Sequence, residues 1–274
     1  MDQKFDTIVI GFGKAGKTLA AKLAKQGEKV VLIEKDARMY GGTCINVGCI
    51  PSKRLVLEAE RAPAHDFEVQ SEYYHVAVQE KKKLTTALRM ANYNKLIDAG
   101  VELTKRGAVV TDKHLRTTAE NIWAAGDVCG NLQFTYISLD DSRIILSDMQ
   151  GDGSRTTENR GAFAYSVFME PSFSRAGLSE KEAADKGLNY RVVRMNTDMI
   201  PKAKVLRKTT GMLKAVIDKD SGKILGAALF CPESYEIINM VKLAMDHDLD
   251  YTVLRDFIYT HPTMSEGLND LFAL

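Results

Sequence analysis

DTIVIGFGKAGKTLAAKLAKQGEKVVLIE, Asp6 to Glu34, changes character twice within one short span. The β-branched run DTIVI reads as a strand and GFGKAG as a tight turn. Lys14 to Lys25 places Ala15, Leu19, Leu23 and Ala24 at helical spacing, and KVVLIE returns as a second strand. Gly11, Gly13 and Gly16 fit G-x-G-x-x-G at the strand-to-helix turn, and Glu34 ends the second strand. The motif alone is weak, and a tight turn without a ligand is the competing reading. With strand, helix and acid all in place it predicts a dinucleotide site. The glycines let the backbone approach a pyrophosphate at the helix start, while Glu34 accepts from ribose hydroxyls and disfavours a 2′-phosphate.

The chain has 274 residues, 45% apolar and 27% charged, enough for one large or two medium domains. A net charge of +1 gives no electrostatic reason to expect nucleic acid, an anionic membrane or an acidic partner. The basic run Lys81 to Lys83 reads as a solvated helix face. No signal peptide is visible and no run reaches the length of a membrane span, so the expected setting is the cytosol. In that reducing compartment a close cysteine pair points to redox chemistry or metal binding before a structural staple.

Such a pair is present in GGTCINVGCIPSK, Gly41 to Lys53, where Cys44 and Cys49 are two of only four cysteines. Five residues along a regular helix separate Cα atoms by roughly 8 to 9 Å, beyond the ~7 Å a disulfide spans. The pair can bond only if the helix is distorted. Gly48, the β-branched Ile45 and Val47, and Pro51, which cannot donate to the Val47 carbonyl, supply that distortion. A helix start and Lys53 would favour a thiolate here. Two small buried residues near a turn, or a metal site, are the alternatives, and Cys129, Cys231 and the five histidines form no ligand cluster in sequence. Cys129 and Cys231 read as buried small residues.

Further on, Glu68 to Asp98 is helical and polar, and short strand-like pieces follow around DAGVELTKRGAVVTDKHL. In NIWAAGDV, Ile122 to Ala125 reads as a buried strand ending in Gly126 and Asp127. A helix through FTYISLDDSRIILSDM, a linker-like QGDGSRTTENRG, a hairpin of GMLKAVID and KILGAALF around KDSG, and an amphipathic helix SYEIINMVKLAMDH complete the pattern.

GFGKAG, GGTCINVGCIPSK, TTAENIWAAGDV and HPTMSE, in that order, resemble the flavin-dependent pyridine nucleotide-disulfide oxidoreductases, the family of dihydrolipoamide dehydrogenase, glutathione reductase and mercuric reductase. MYGGTCIN, FTYISLDDSRI and SVFMEPSFSRAG are most similar to its subgroup of bacterial reactive-chlorine-resistance flavoproteins and hypothiocyanous acid reductases. The resemblance implies a discontinuous Rossmann-like α/β FAD-binding domain over 1–150, in segments 1–99 and 105–150. An α+β dimerisation domain with an antiparallel sheet over 158–274 would follow. FAD would lie along Gly11, Gly13, Lys14, Ala15 and Gly16, with Glu34 and Lys35 at the adenosine ribose, Gly42 and Thr43 at the pyrophosphate, and Gly126 and Asp127 at the ribityl and phosphate region. Cys49 would face the flavin, Cys44 would meet the substrate, and Lys53 would lie beside the isoalloxazine. His261 would be the acid/base for the outer thiol, oriented by Glu266 and reaching across a homodimer. Thr263 to Glu266 also reads as a capping box, which gives Glu266 a purely structural alternative.

One part of the family pattern is missing. A second dinucleotide fold for NADH or NADPH would be expected near Ala99 to Lys105, and the later Gly151 to Gly153 lacks the third glycine, the preceding strand and the following helix. Two functions follow as expectations. One is a reductase passing electrons from NAD(P)H through FAD and Cys44–Cys49 to a small oxidant such as hypochlorous or hypothiocyanous acid, a disulfide or a metal ion. The other is a noncatalytic FAD-binding or dimerisation fragment. The absence of a C-terminal cysteine pair in NDLFAL argues against mercury, and Tyr259-Thr260 before His261 departs from the dihydrolipoamide dehydrogenase pattern.

Overall fold

The computed structural model describes residues 4–34, 36–61, 67–97, 111–117, 120–129 and 132–274. These form two compact units, Met1–Arg160 and Gly161–Leu274.

The first unit starts with β1 (Thr7–Ile10), α1 (Lys14–Lys25) and β2 (Val30–Ile33). The two strands pair in parallel with Ile8 opposite Val31 and Ile10 opposite Ile33. A parallel pair needs a crossover, and α1 supplies it with the predicted boundaries. Ala20 and Leu23 of α1 pack with Val9, Phe12, Val30 and Leu32 into a small core. Leu146 and Met149 close it from α5 (Thr135–Gln150).

Between these elements come α2 (Thr43–Asn46), α3 (Cys49–Arg61) and the long α4 (Phe67–Ile97), close to the predicted polar helix. Tyr73 of α4 donates to the buried Glu58 of α3 at 3.1 Å, and Arg54 pairs with the same carboxylate.

The strand expected at Ile122 to Ala125 does not form. Only Trp123 makes a bridge, to Arg116, and Ile122 is 54% exposed. The reason is partly local and partly a distant carboxylate. Asn121 and Gly126 bracket the run with positive φ (61° and 75°), so the backbone bends at both ends. The Trp123 indole N–H and the Arg116 guanidinium both turn onto Asp148 of α5, at 2.7 and 2.6 Å, and the segment becomes a pinned turn. Lys35, the strand-like pieces at 98–110 and the expected junction at Ala99 to Lys105 lie outside the described residues.

The second unit is an antiparallel sheet in the order β3-β4-β7-β6-β5, built from β3 (Ala164–Val167), β4 (Phe173–Gly177), β5 (Tyr190–Asn196), β6 (Met212–Asp218) and β7 (Ile224–Phe230). The predicted hairpin is β6–β7, and its turn is held by Asp218, which accepts from the Asp220 and Ser221 amides. Helices α6 (Glu180–Asp185) and α7 (Pro201–Leu206) connect strands. The amphipathic α8 (Ser234–Asp246), then α9 (Tyr251–Arg255) and α10 (Gly267–Ala273), follow the sheet. Leu213, Ala215, Ile217, Ala227 and Leu229 pack with Ile237, Val241, Leu268 and Phe272 in one continuous core.

Candidate active site

The glycine turn is built from close backbone approaches. A side chain at Gly16 would run into the Gly11 carbonyl, and one at Gly42 would come within 2.7 Å of the Gly13 Cα. The starts of α1 and α2 are therefore set back to back, which only residues without a Cβ permit. Among the described residues, a Cβ over Gly11 or Gly13 meets nothing within 4 Å, and no side chain caps α1 at Gly13. First-turn amides are thus presented toward open space, the arrangement that takes a phosphate. Lys14 and the buried Ala15 open the helix, and Thr43 opens α2. Glu34, at the end of β2, accepts from Phe12 N at 3.0 Å and from Asp36 N at 3.3 Å, which ties the turn to the second strand.

The expected helix distortion is a clean break. α2 ends at Val47 (φ −128°, ψ −45°), both Val47 N and Gly48 N return to the Thr43 carbonyl, and α3 begins at Cys49. Pro51 sits in the first turn of α3, where its missing N–H costs nothing. Asn46 steadies α2 by donating to the Tyr40 and Gly42 carbonyls at 3.0 and 2.9 Å. The break brings the Cys44 and Cys49 thiols together as interacting free thiols.

Two features at this pair were not anticipated from sequence. The Thr135 hydroxyl lies 3.4 Å from the Cys49 Sγ and also hydrogen-bonds Cys44. Since Cys49 opens α3 and Thr135 opens α5, two helix N-termini converge on the sulfurs, and their dipoles favour negative charge there. Burial raises the Cys44 pKa above the ordinary thiol value; the Thr135 hydroxyl counters it, the neighbouring Cys49 adds to it, and Lys17 of α1 pulls it down. A threonine or a lysine inside a helix carries no signal in sequence, so neither could be found without the fold. Lys53 is exposed on the first turns of α3. Burial pushes the Cys129 thiol up to about 11 and the Cys231 thiol up to about 12; Cys231 is the buried packing residue expected, whereas Cys129 is only half-buried.

Gly126 and Asp127 open a short 3-10 turn, with Gly126 buried and Asp127 exposed. The Gly126 N–H donates to Asp141 of α5 at 2.6 Å.

In the second unit the His261 Nδ1 lies 2.8 Å from Glu266 Oε2. A carboxylate only accepts, so Nδ1 carries the proton and Nε2 is left for proton exchange. His261 is 70% exposed at its side chain and Glu266 only 13%. The competing cap is half realised. The Thr263 hydroxyl accepts from Glu266 N at 3.3 Å, while the Glu266 carboxylate goes to the histidine.

Among the described residues no group of three or more His, Cys, Asp or Glu could hold a metal ion, and no helix is long and apolar enough to cross a membrane.

Residues 5–97 and 89–142 match the family "Pyridine nucleotide-disulphide oxidoreductase", and 163–272 match its dimerisation domain. The probable pyridine nucleotide-disulfide oxidoreductase RclA of Escherichia coli is 31% identical, with 99% of each chain covered. That alignment runs through 446 positions against 274 residues here, so part of the relative has no counterpart in this chain. Mercuric reductases of Bacillus cereus and Shigella flexneri are 30% and 33% identical over 95% of this chain, which spans 43% and 48% of their length. Among solved structures, the Cu(II) complex of the HOCl-induced flavoprotein disulfide reductase RclA from Escherichia coli superposes with a TM-score of 0.89 at 31% identity, covering 98% of this chain and all of that one. LpdA of Mycobacterium tuberculosis shares the fold, with a TM-score of 0.77 at 14% identity. With both parts of the chain matched and the thiol pair, glycine turn and His–Glu pair in place, this protein belongs to the pyridine nucleotide-disulfide oxidoreductases, a family of FAD-dependent enzymes that take electrons from NADH or NADPH.

Proposed function

We propose that this chain reduces a small oxidant through Cys44 and Cys49, with electrons drawn from NAD(P)H by way of FAD. The observation that carries the reading is the pair of facing thiols at two helix starts, beside a glycine turn open to a phosphate. The residues fit the flavin. Gly11 to Gly16, Lys14 and Ala15 among them, Gly42 and Thr43 would hold its pyrophosphate, Glu34 and Lys35 its adenosine ribose, and Gly126 and Asp127 its ribityl and phosphate region. When bound, FAD would relay two electrons from the nicotinamide to the Cys44–Cys49 disulfide, with Lys53 beside the ring.

With hypochlorous acid as oxidant, the atoms balance in two displacements. The Cys44 thiolate attacks chlorine, an S–Cl bond forms, the Cl–O bond breaks and hydroxide leaves. The Cys49 thiolate then attacks the Cys44 sulfur and expels chloride, closing the disulfide as two electrons pass to the oxidant. Because burial raises the Cys44 pKa, a base must take its proton near neutral pH. His261, with Nε2 available and Glu266 fixing its tautomer, is suited to that role from the other subunit of a homodimer. The match to a dimerisation domain supports that assembly, and the HOCl-induced relative supports an oxidant of this class. Hypothiocyanous acid, a disulfide or an oxidised metal ion are the other acceptors of the same chemistry.

One observation favours a second reading, a noncatalytic FAD-binding and dimerisation fragment. Part of the relative, 446 aligned positions against 274 residues, has no counterpart here, and the sequence shows no second dinucleotide motif. The two are separated by steady-state oxidation of NADH and NADPH with hypochlorous acid as acceptor, beside the Cys44→Ser variant. Turnover abolished by Cys44→Ser supports the reductase. No turnover at saturating nicotinamide, with FAD bound, leaves the fragment.

A further inference from the structure

Helix α5 turns two consecutive carboxylates inward, Asp140 at 8% and Asp141 at 3% exposure. Each has a cationic partner from the stretch that ends the first unit. Asp140 pairs with Arg155 and lies 3.4 Å from Arg160 Nε, and Asp141 Oδ1 pairs with Arg160. The other Asp141 oxygen accepts the Gly126 N–H at 2.6 Å. One turn earlier on the same helix, Ser138 backs the same glycine, and a Cβ at Gly126 would come within 2.9 Å of its hydroxyl. Gly126 is thus gripped in the left-handed region, φ 75°, and the residue it delivers next is the exposed Asp127. Burial, with the neighbouring Asp140 charge, holds the Asp141 carboxyl above the ordinary carboxylate range, although the Gly126 amide and Arg160 oppose it.

A buried ion pair is a poor source of stability, since an apolar pair of similar volume commonly does as well or better. What an apolar pair cannot do is accept a backbone N–H. We infer that Asp141, held by Arg160, is a positioning residue whose second oxygen sets the Gly126–Asp127 turn, and that flavin affinity therefore depends on a buried acceptor for the Gly126 N–H. The inference rests on the proposed role of Gly126 and Asp127 in holding FAD.

The test compares two double variants of the full chain that carry the same charge and differ only in the acceptor. Asp141→Asn/Arg160→Met keeps an oxygen for the Gly126 N–H, and Asp141→Leu/Arg160→Met does not. FAD is titrated by fluorescence, the flavin midpoint potential is measured, and the flavin-free proteins are melted. The asparagine variant is expected to bind FAD close to wild type. The leucine variant should melt like it but bind about tenfold more weakly, as loss of one buried hydrogen bond implies, with a shifted potential. Equal affinity and potential in the two variants overturns the inference and leaves the FAD reading standing. Failure of the wild type to bind FAD overturns both. Should the leucine variant not fold, the same contrast is read between Asp141→Asn and Asp141→Ala, by FAD affinity and by hydrogen exchange at the Gly126 amide; equal values again overturn it.

Discussion

In residues 161–274 a five-stranded sheet packs into one continuous apolar core, and its strand ends are tied off by short turns and a capping box. In the first unit the described sheet has two strands over a much smaller core. There Ile8 and Ile10 are 61% and 65% exposed. The order around its chemistry comes instead from backbone contacts between glycines, from Asn46 and Glu34 bonded to main chain, and from the buried Asp140, Asp141 and Asp148. Apolar burial is non-directional and tolerant, whereas an amide held by a carboxylate fixes one position. Among the described residues, the site in the first unit is ordered by directional hydrogen bonds and the second unit by apolar packing.

The largest effect expected separates chemistry from folding in the first unit. On the proposed mechanism, in which its thiolate is the nucleophile, Cys44→Ser should lower oxidant reduction by at least about a hundredfold while thermal unfolding stays put, because the side chain is only half-buried. A variant that unfolds early would mean that the pair also holds the unit together.

Next come matched deletions of fully buried leucines. Leu213→Ala in the second core should cost toward 5 kcal/mol, and Leu23→Ala in the first nearer 3 kcal/mol, because a cavity in a dense core collapses less. Denaturant unfolding followed separately in each unit measures both. Equal values would erase the contrast between the two cores.

Glu266→Gln should lower turnover about tenfold and alter its pH profile, because the imidazole loses the partner that fixes its tautomer. An unchanged profile would return Glu266 to a helix-start role. Lys17→Met should raise the already elevated Cys44 pKa further, so thiol alkylation rates should rise at higher pH than in wild type.

The smallest effect lies at α6. The Ser179 hydroxyl and amide, then Arg175, hold the exposed Glu182 carboxyl down to about 2. A depressed carboxylate contributes stability that is present above its unfolded pKa of ~4.3 and is lost as pH falls toward 2. Acid titration followed by NMR should therefore show the α6 start loosening in that window, and Glu182→Gln should remove the dependence.

What sequence could deliver followed the range of its signals. α1, the β6–β7 hairpin and α8 were readable because apolar period and turn residues act within a few positions. The Cys44–Cys49 break was readable from Gly48 and Pro51. The turn at Ile122 to Ala125 was not, since a short apolar run says strand while Asp148 far along the chain decides otherwise. Thr135 and Lys17 reach the thiols, and Asp141 reaches Gly126, only through packing between helices.

The order β3-β4-β7-β6-β5 also says how the second unit comes together. β3 with β4, and β5 with β6 and β7, pair between chain neighbours, whereas β4 with β7 is the single pairing that joins distant segments. Local hairpins form fast, and closing a long loop carries the entropic cost, so the β4–β7 seam is where the folding barrier should fall. Substitutions along Phe173–Gly177 should then slow folding, while those on β5 should mainly speed unfolding.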